Sequence, residues 1–425
     1  MRVRFARWLT LSWFWAFAST PASPAAILGT NSAALPLTRD RIATLPAAQR
    51  PAWLDYLQRS NERRRLDIAA LDAEIQSEKL PGPILPPSGR SEKALSLAKP
   101  ADWYAGPEAR RIAGIVISFQ IPSGGWSKNL DLSNHPRGRG EHFAPDNESR
   151  RLGPSDNDAP ALSWNYVGTI DNDGTISEMR FLARMSARAG EPEAGRCRES
   201  FVKGLNYLLN SQYPNGGWPQ VWPLAGGYHD AVTFNDNALI NVLNLLSDTA
   251  SGTNDFAFVT PADRGRAREA LRRGIDCVLD CQVICRGTPT VWAQQYDPLT
   301  LKPCAARNYE MPAACSLESA RVTRFLLQLP APNPKITAAI RNAQEWFRKT
   351  ALHDVTFVKT NGLAQLLPSP GAPPLWARFY DFNTATPVFG DRDKSIHDRL
   401  DEISIERRNG YAWYGSQPAQ CLESK

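Results

Sequence analysis

The sequence predicts a mainly α fold: a partial (α/α) toroid whose long loops gather at one end and form a cleft. The pattern Q-x-x-x-G-G-W occurs twice, from Gln120 and from Gln212, each time directly after an apolar segment with helical periodicity. Strand signals are sparse, and the best candidates are residues 291–295 and 355–358. A helix, a Gly-Gly-Trp turn, a loop and a new helix, repeated, describe a ring of helices.

The first 26 residues have the physical pattern of a secretory signal. Three arginines precede an apolar run over residues 8–18, and small residues follow at 22–26. The apolar run is too short to span a bilayer as a mature helix. We therefore expect residues 1–26 to be a signal peptide, and the protein to be exported to a periplasm or outside the cell, with no membrane partner.

Residues 27–90 form a predicted N-terminal arm with one helix and a Pro-rich linker. The helix is charged and amphipathic and covers residues 51–78, and the linker is the run PGPILPPSGRS at 81–91. Residues 91–425 then form one catalytic domain with the toroid fold.

Composition and motifs exclude several classes of function. Removal of the three arginines of the signal lowers the formal net charge from +6 to +3, which is too mild to indicate nucleic-acid binding. The chain has no G-x-S-x-G, no Walker loop and no G-x-G-x-x-G, and its five histidines show no H-E-x-x-H spacing. We expect a monomer that meets an anionic ligand through local clusters of charge.

The helical repeat continues beyond its two clear copies. A degraded third copy starts at Gln282 and ends at Trp292, and the spacings of about 92 and 70 residues exclude a short solenoid repeat. Polar turns at 169–175 and 233–237 precede new apolar helical segments, where Asn and Asp are good N-cap residues.

Two acidic clusters lie in these polar turns. Asp171 opens the run DNDGT, shortly after Asp156 and Asp158, and Asp236 lies in TFNDNAL. Clustered carboxylate oxygens suit calcium, although the spacing is not that of an EF-hand. The alternative is helix capping alone, so the residues themselves leave both explanations open.

The Gly-Gly-Trp turns also have two explanations. If their rings were exposed, Trp126 and Trp218 would form the floor of a sugar-binding cleft. Lys128 lies beside the first and Trp222 beside the second. Packing of the same rings in the core is about equally consistent with the sequence.

The stretch at 376–415 carries five arginines among aromatic residues and turn formers: Arg378, Arg392, Arg399, Arg407 and Arg408. It has too few aliphatic residues for a core helix or strand. We predict an ordered loop segment that presents guanidinium groups and aromatic rings to a ligand. A solvated charged face is the alternative, above all for Arg399.

Over roughly residues 100–415 a series of motifs follows in order: GGWSKN, NGGWPQVWP, GGYHDAVTFNDNA, TLKPCAARNYEMP, WARFYDF, DRD and ERRNGYAWYG. Their order resembles that of the family 10 polysaccharide lyases, which are pectate lyases. The resemblance implies a calcium-assisted β-elimination of polygalacturonate in which Arg392 is the base. It implies calcium-linked aspartates at Asp171 and Asp236 and substrate contacts from Arg307, Arg324, Arg378 and Arg407. Asp391, where the family has Gly, is a departure that places a carboxylate next to the base.

The chemistry of such an elimination suits these residue types. The proton at C5 of a galacturonate lies next to a carboxylate, and calcium and guanidinium groups on that carboxylate stabilise the developing charge. Arginine as a base is demanding, because lowering its pKa to about 10 costs about 4 kcal/mol. Neighbouring cations and desolvation act in that direction, so we predict an alkaline optimum.

Other activities fit parts of the pattern. A glycoside hydrolase would use two carboxylates, such as Asp171 and Asp236. A non-catalytic protein would bind polyuronate in calcium without cleaving it. The Q-x-x-x-G-x-W pattern also resembles the repeat of terpenoid cyclases, but the arginines and the export signal argue against a cavity for a greasy substrate.

Overall fold

The structure, a computed structural model, describes residues 27–87, 95, 97–145, 164 and 167–423. The predicted signal peptide at 1–26, the residues Asp156 and Asp158, and residues 88–91 of the predicted linker lie outside this part of the chain. None of the described helices is both long and apolar enough to cross a bilayer.

Most of the regular structure is helical, as predicted. The helices of the described residues are α1 (Arg39–Ala43), α2 (Arg50–Ser77), α3 (Pro107–Ser118), α4 (Ile176–Arg188), α5 (Glu193–Ser211), α6 (Ala238–Ser251), α7 (Pro261–Asp280), α8 (Ser316–Leu327), α9 (Pro334–Thr350), α10 (Ile405–Gly410) and α11 (Ala419–Leu422).

The strands are short, and most consist of two residues. They are β1 (Ile27–Thr30), β2 (Val232–Thr233), β3 (Ile284–Cys285), β4 (Thr288–Pro289), β5 (Trp292–Ala293), β6 (Gln295–Tyr296), β7 (Ala314–Cys315), β8 (Val355–Thr360), β9 (Leu363–Pro368), β10 (Trp376–Ala377), β11 (Phe379–Tyr380), β12 (Phe389–Gly390), β13 (Ser395–His397) and β14 (Tyr414–Gly415). All of the pairings between these strands are antiparallel. The predicted strand at 355–358 is confirmed within β8, whereas the region 291–295 is divided between β5 and β6, which pair with different strands.

The longer helices form two layers of a partial (α/α) toroid. Helices α3, α5, α7 and α9 pack in succession as an outer layer, and α4, α6 and α8 pack in succession inside it. Consecutive helices form antiparallel pairs such as α4 with α5 and α6 with α7. Helix α6 is apolar around most of its circumference and is buried accordingly, as expected of an inner helix.

The repeated motif connects each outer helix to the next one. The Gln120 side-chain amide donates to the carbonyl of Gly124 in its own turn (2.7 Å) and to that of Ser200 in α5 (3.0 Å). The same pair of bonds recurs at Gln212 with Gly216 and Ala270, and at Gln282 with Thr290 and Ala339. The third copy of the repeat is therefore present in the structure.

The first glycine of the motif is required where the turn meets the next outer helix. Gly124 has a φ of 112°, and a Cβ there would lie 2.4 Å from the carbonyl oxygen of Lys203. Gly216 has a φ of 92°, and its Cβ would lie 2.2 Å from the carbonyl oxygen of Arg273. Only glycine combines this backbone conformation with so close an approach.

The N-terminal arm packs onto the toroid. Helix α2 begins and ends within one residue of the prediction, and its Tyr56 hydroxyl donates to the carbonyl of Ser211 at 2.9 Å. The Trp53 and Tyr56 rings lie 5.3 and 4.7 Å from the Tyr213 ring, in the same core as the inner helices. The arm also contains the short helix α1 and the strand β1, which the sequence did not predict.

Candidate active site

Four turns at one end of the toroid build one wall of the site. Each has a tryptophan whose indole N–H donates to a carbonyl near the end of the preceding outer helix: Trp126 to Val116, Trp218 to Leu208, Trp292 to Val278 and Trp376 to Phe347. The residue two positions after each tryptophan is polar: Lys128, Gln220, Gln294 and Arg378. We call these four residues the turn wall.

The turn wall corrects one prediction. Trp126 and Trp218 are fully buried, so neither ring can stack on a sugar, and the sugar-platform hypothesis for both is wrong. The Gly-Gly-Trp turns are core elements that place the polar residue two positions later.

Asp171 lies at the base of this wall in a 3₁₀ turn, Asp171–Asp173, that precedes α4. Its Oδ2 accepts a 2.5 Å bond from the Lys128 ammonium, and its Oδ1 is buried without a hydrogen bond of ordinary geometry. Desolvation acts to raise the pKa of Asp171, but Lys128, Gln220 and Arg307 lower it below its usual value. The carboxylate is therefore ionised and has an oxygen to offer.

Asp236 lies in the equivalent 3₁₀ turn before α6, Asn235–Asn237, and faces the cleft. Desolvation within the cleft and the neighbouring Asp171 carboxylate raise the pKa of Asp236 to about 6, against the opposing effect of Arg378. The next residue back, Asn235, accepts bonds at its Oδ1 from Gln294 (2.5 Å) and Arg378 (3.2 Å). The turn wall thus connects directly to this second aspartate.

The two acidic turns do not cap their helices. The N-cap residues of α4 and α6 are Thr175 and Asn237, and neither side chain accepts a capping bond. Asn172 and Asp236 have φ values of 50° and 48°, in the left-handed region. The capping explanation is therefore wrong at both turns, and strained backbone at such positions is common at functional sites.

Arg378 makes a buried ion pair with Glu318 at the start of α8. Both side chains are less than a tenth exposed, so neither charge is left to water. Although desolvation acts to lower it, Glu318 and Tyr411 hold the pKa of Arg378 well above its usual value.

A second wall stands on two loops and on the short helix α10 rather than on the repeated turns. Arg307 forms a two-bond ion pair with Glu310, through Nε at 2.8 Å and Nη2 at 2.6 Å, and the Tyr411 hydroxyl donates to the same carboxylate at 2.7 Å. Desolvation acts to raise the pKa of Glu310, but Arg307 lowers it to about 2. The charged pair is therefore stable throughout the ordinary pH range.

The ring of Tyr309 gathers three guanidinium groups. The Cζ atoms of Arg307, Arg392 and Arg407 lie 4.8, 5.5 and 4.3 Å from its centre. The Tyr411 ring lies 5.3 Å from the Tyr309 ring. Cations over an aromatic face are attracted to it, which offsets part of the repulsion between three like charges. We call Arg307, Arg392 and Arg407 the loop wall.

Arg392 lies in the turn between β12 and β13. Its Nε donates to Glu406 at 2.8 Å, and Arg407 donates to the same carboxylate at 2.8 Å. Asp391 accepts the backbone N–H and the hydroxyl of Ser404, at 2.5 and 2.7 Å, and the backbone N–H of Arg392. Asp391 thus connects the turn to the start of α10.

Arg324 lies apart from both walls. It is six residues beyond Glu318 on α8, about 9 Å along the helix axis. Its guanidinium donates to Gln420 at 2.9 Å and lines a cavity of about 110 Å³ with Asn237. A substrate contact from Arg324 stays a prediction.

Several site residues escaped sequence reasoning. Glu310, Glu318, Tyr309 and the role of Tyr411 were missed, because their meaning depends on which arginine each one contacts. The fourth turn, at Trp376, was missed because it lacks the Gln and the Gly-Gly pair. The signal that the repeat did hold was the polar residue two positions after each tryptophan.

The site offers part of the set of oxygen ligands that a hard cation requires. Asp171 has a free carboxylate oxygen, and Asp236 lies close enough for the two charges to repel. Among the described residues, no three His, Cys, Asp or Glu side chains form a metal cluster. Since calcium takes six to eight oxygens, roughly, two carboxylates are a partial set.

Comparison with known proteins agrees with this geometry. The family model for pectic acid lyase matches residues 120–422. The chain is similar to a family 10 polysaccharide lyase from Cellvibrio cellulosa, with 33% identity, a TM-score of 0.63, and coverage of 77% of this chain and 96% of that one. It is also similar to an Asp-to-Ala mutant of the family 10 lyase from that organism in complex with trigalacturonic acid, with 32% identity, a TM-score of 0.63, and 76% and 93% coverage. The comparison with curated proteins gave no match.

Proposed function

We propose that this chain, which belongs to the pectic acid lyase family and is a pectate lyase, cleaves polygalacturonate by β-elimination between the turn wall and the loop wall. The observation that carries the proposal is the convergence of Arg307, Arg392 and Arg407 on the Tyr309 ring, with Arg307 close enough to Asp171 to lower its pKa. A polyanion is the ligand that such a cluster favours.

The arginines serve to hold and activate uronate carboxylates. A guanidinium binds a carboxylate through two parallel bonds, which fixes the sugar and withdraws charge from it. Withdrawal of charge makes the C5 proton more acidic and stabilises the enolate-like state that follows its removal. The electron pair left at C5 then forms the C4–C5 double bond while the C4–O bond breaks.

We propose that calcium assists at Asp171 and Asp236. Bound there, the ion would add positive charge next to the substrate carboxylate and so favour loss of the C5 proton. The buried free oxygen of Asp171 and the raised pKa of Asp236 support this assignment, because a cation would relieve the repulsion between the two groups.

Arg392 is the base that the resemblance predicts, and Arg307 is a second candidate. Arg307 is a candidate because it lies over the same Tyr309 ring as Arg392, and because, against desolvation, it helps Lys128 to lower the pKa of Asp171. Each carries a carboxylate partner that favours the charged guanidinium, Glu406 for Arg392 and Glu310 for Arg307. A neutral base requires that this pairing be weakened when substrate binds.

Paired variants distinguish the two candidates. We expect Arg392→Lys and Arg392→Ala to lower kcat by about 10³-fold or more, the range of a lost general base. If Arg307 is the base, its Lys variant shows that loss instead, and Arg392→Lys changes mainly KM. Arg399→Ala is the matched control, because the half-exposed Arg399 forms its shortest ion pair with the equally exposed Asp401.

One assay tests the proposed function. Polygalacturonate is incubated with the protein in calcium and then in excess chelator, and absorbance is followed at about 235 nm, where a conjugated unsaturated uronate absorbs. Calcium-dependent growth of that band supports the proposal. New reducing ends without the band indicate a hydrolase, and binding with neither signal indicates a non-catalytic polyuronate-binding protein.

We also propose export to a periplasm or outside the cell. The basic, apolar and small segments of residues 1–26 support it. Recovery of a chain that still begins at residue 1 from the cytosolic fraction would contradict it.

A further inference from the structure

Strand β1 lies outside the residues that the family model matches, yet it pairs with β13, the strand that follows the turn of Arg392. It pairs antiparallel with β13, placing Thr30 opposite Ser395, and the backbone N–H of Asn31 donates to the carbonyl of Lys394 at 2.8 Å. Since Lys394 belongs to the turn that carries Arg392, β1 is the third strand of the sheet on which that arginine stands.

The Asn31 side chain reaches the other arginine loop. Its amide nitrogen donates to the carbonyl oxygens of Arg307 (3.1 Å) and Asn308 (2.9 Å), and the residue is 4% exposed. Both partners are acceptors, so the group that faces them must be the NH₂ and not the amide oxygen. One buried residue therefore holds the backbone of both loops.

Asn308 connects the loop of Arg307 to the turn of Arg392. Its amide nitrogen donates to the carbonyl of Arg392 at 2.9 Å, and it is 3% exposed. The two loops also touch directly: a Cβ at Gly390 would lie 2.4 Å from the carbonyl oxygen of Tyr309. Asn31, Asn308 and this contact fix the backbone under Arg307 relative to the backbone under Arg392.

We infer that Asn31 is a positioning residue for the elimination, and that residues 27–31 are a working part of the active site rather than a passive arm. The inference rests on the proposed function. Arg307, Arg392 and Arg407 share one aromatic ring although their charges repel, and two of them stand on segments with almost no regular structure. The buried amide bonds are what hold those two segments at a fixed spacing.

The expected effect falls on turnover more than on binding. Asn31→Ala removes two bonds to loop carbonyls, and Asn31→Asp keeps the size of the side chain but replaces the donor with an acceptor. Displacement of a catalytic group by about 1 Å can cost about 10²-fold in rate. We therefore expect kcat to fall about 10- to 100-fold in both variants while KM changes less than about 3-fold. Ser32→Ala, at the exposed next residue, is the matched control.

A double-mutant cycle with Asn308→Ala tests the route of the effect. If Asn31 acts through the loop that Asn308 holds, the loss in the double variant is smaller than the product of the single losses. Losses that simply multiply would show that Asn31 acts elsewhere.

Hydrogen exchange supplies a readout that needs no activity. In Asn31→Ala and Asn31→Asp we expect faster exchange at residues 307–310 and 391–394, with α6 unchanged and the Ser32→Ala control like wild type. Unchanged exchange together with unchanged kcat would overturn the inference. Wild-type protein that yields no unsaturated product would instead overturn the proposed function, and exchange would still decide whether Asn31 fixes the loops.

Discussion

The two walls of the cleft position their cations by different means. Each residue of the turn wall follows a tryptophan that the core holds by packing and by an indole hydrogen bond, so its backbone is set by the toroid itself. The loop wall stands on short strands, a shared tyrosine ring and a few amide bonds from Asn31 and Asn308. The first arrangement is rigid, and the second depends on a small number of separate contacts.

The walls also differ in how their charges are balanced. In the turn wall, Lys128 and Arg378 each face a buried carboxylate of their own. In the loop wall, Arg392 and Arg407 share Glu406, whose side chain is 54% exposed. The carboxylate that these two arginines share is therefore open to water and can be exchanged for a uronate carboxylate, unlike the buried acids of the turn wall. Substrate binding should thus alter the loop wall more than the turn wall.

The largest expected effect on stability comes from removing Arg378 from its ion pair with Glu318 in the turn wall. Arg378→Ala leaves Glu318 buried without its partner, which should lower the free energy of unfolding by about 3–5 kcal/mol. Denaturant unfolding of the wild type and of the variant measures the loss. Arg392→Ala, whose partner Glu406 is 54% exposed, should cost less, about 1 kcal/mol. Equal losses at the two sites would remove the distinction between the walls.

A double variant separates charge from packing. Arg378→Met with Glu318→Gln removes both charges at similar volume, so it should recover most of the lost stability. Activity should remain low, because the substrate contact that the family resemblance predicts for Arg378 is then lost.

The sequence predicted the turn wall and the loop wall to different extents. The helices were predicted because apolar periodicity is a local property, and the turns because a Gly-Gly pair fixes backbone conformation locally. The same local signal led to the wrong prediction of a sugar platform at Trp126 and Trp218. An aromatic residue after two glycines is compatible with an exposed platform as well as with a buried core position. Only the packing of the next outer helix, at Ser200 and Ala270, decides between them.

The composition of residues 376–415 predicted that Arg392 and Arg407 face a ligand, but only the family resemblance assigned Arg307 to the same site. Arg307 and Arg392 are 85 positions apart, and nothing local indicates that both lie on the Tyr309 ring. The acids Glu310 and Glu318 read as ordinary charged residues until their partners are known. Asn31 gives no signal at all, because its two acceptors are backbone atoms 276 and 277 residues away.

A smaller effect distinguishes a core tryptophan from a sugar platform. Trp218→Phe removes the indole bond to the Leu208 carbonyl and leaves a cavity beside α5, which should cost about 1–3 kcal/mol of stability. KM for polygalacturonate should stay within about twofold of wild type, since the ring touches no solvent. A KM raised tenfold with unchanged stability would restore the platform role and would place Trp218 in the cleft.

The smallest effect concerns Asp236, which lies where the turn wall meets the cleft. Its pKa is raised to about 6 from the usual 3.8, so between these values the folded chain binds a proton that the unfolded chain does not. Stability from this group therefore falls as pH rises through that interval.

Asp236→Asn should make this fall in stability less steep and slightly raise the Tm of the calcium-free protein at pH 8, while it weakens the calcium dependence of the activity. Thermal unfolding of both proteins from pH 4 to 8, in chelator, measures the first effect, and a calcium titration of the lyase assay measures the second. If Asp236→Asn lowered the Tm at pH 8, the carboxylate would be stabilising in the absence of metal, and the repulsion from Asp171 would not be what a bound cation relieves.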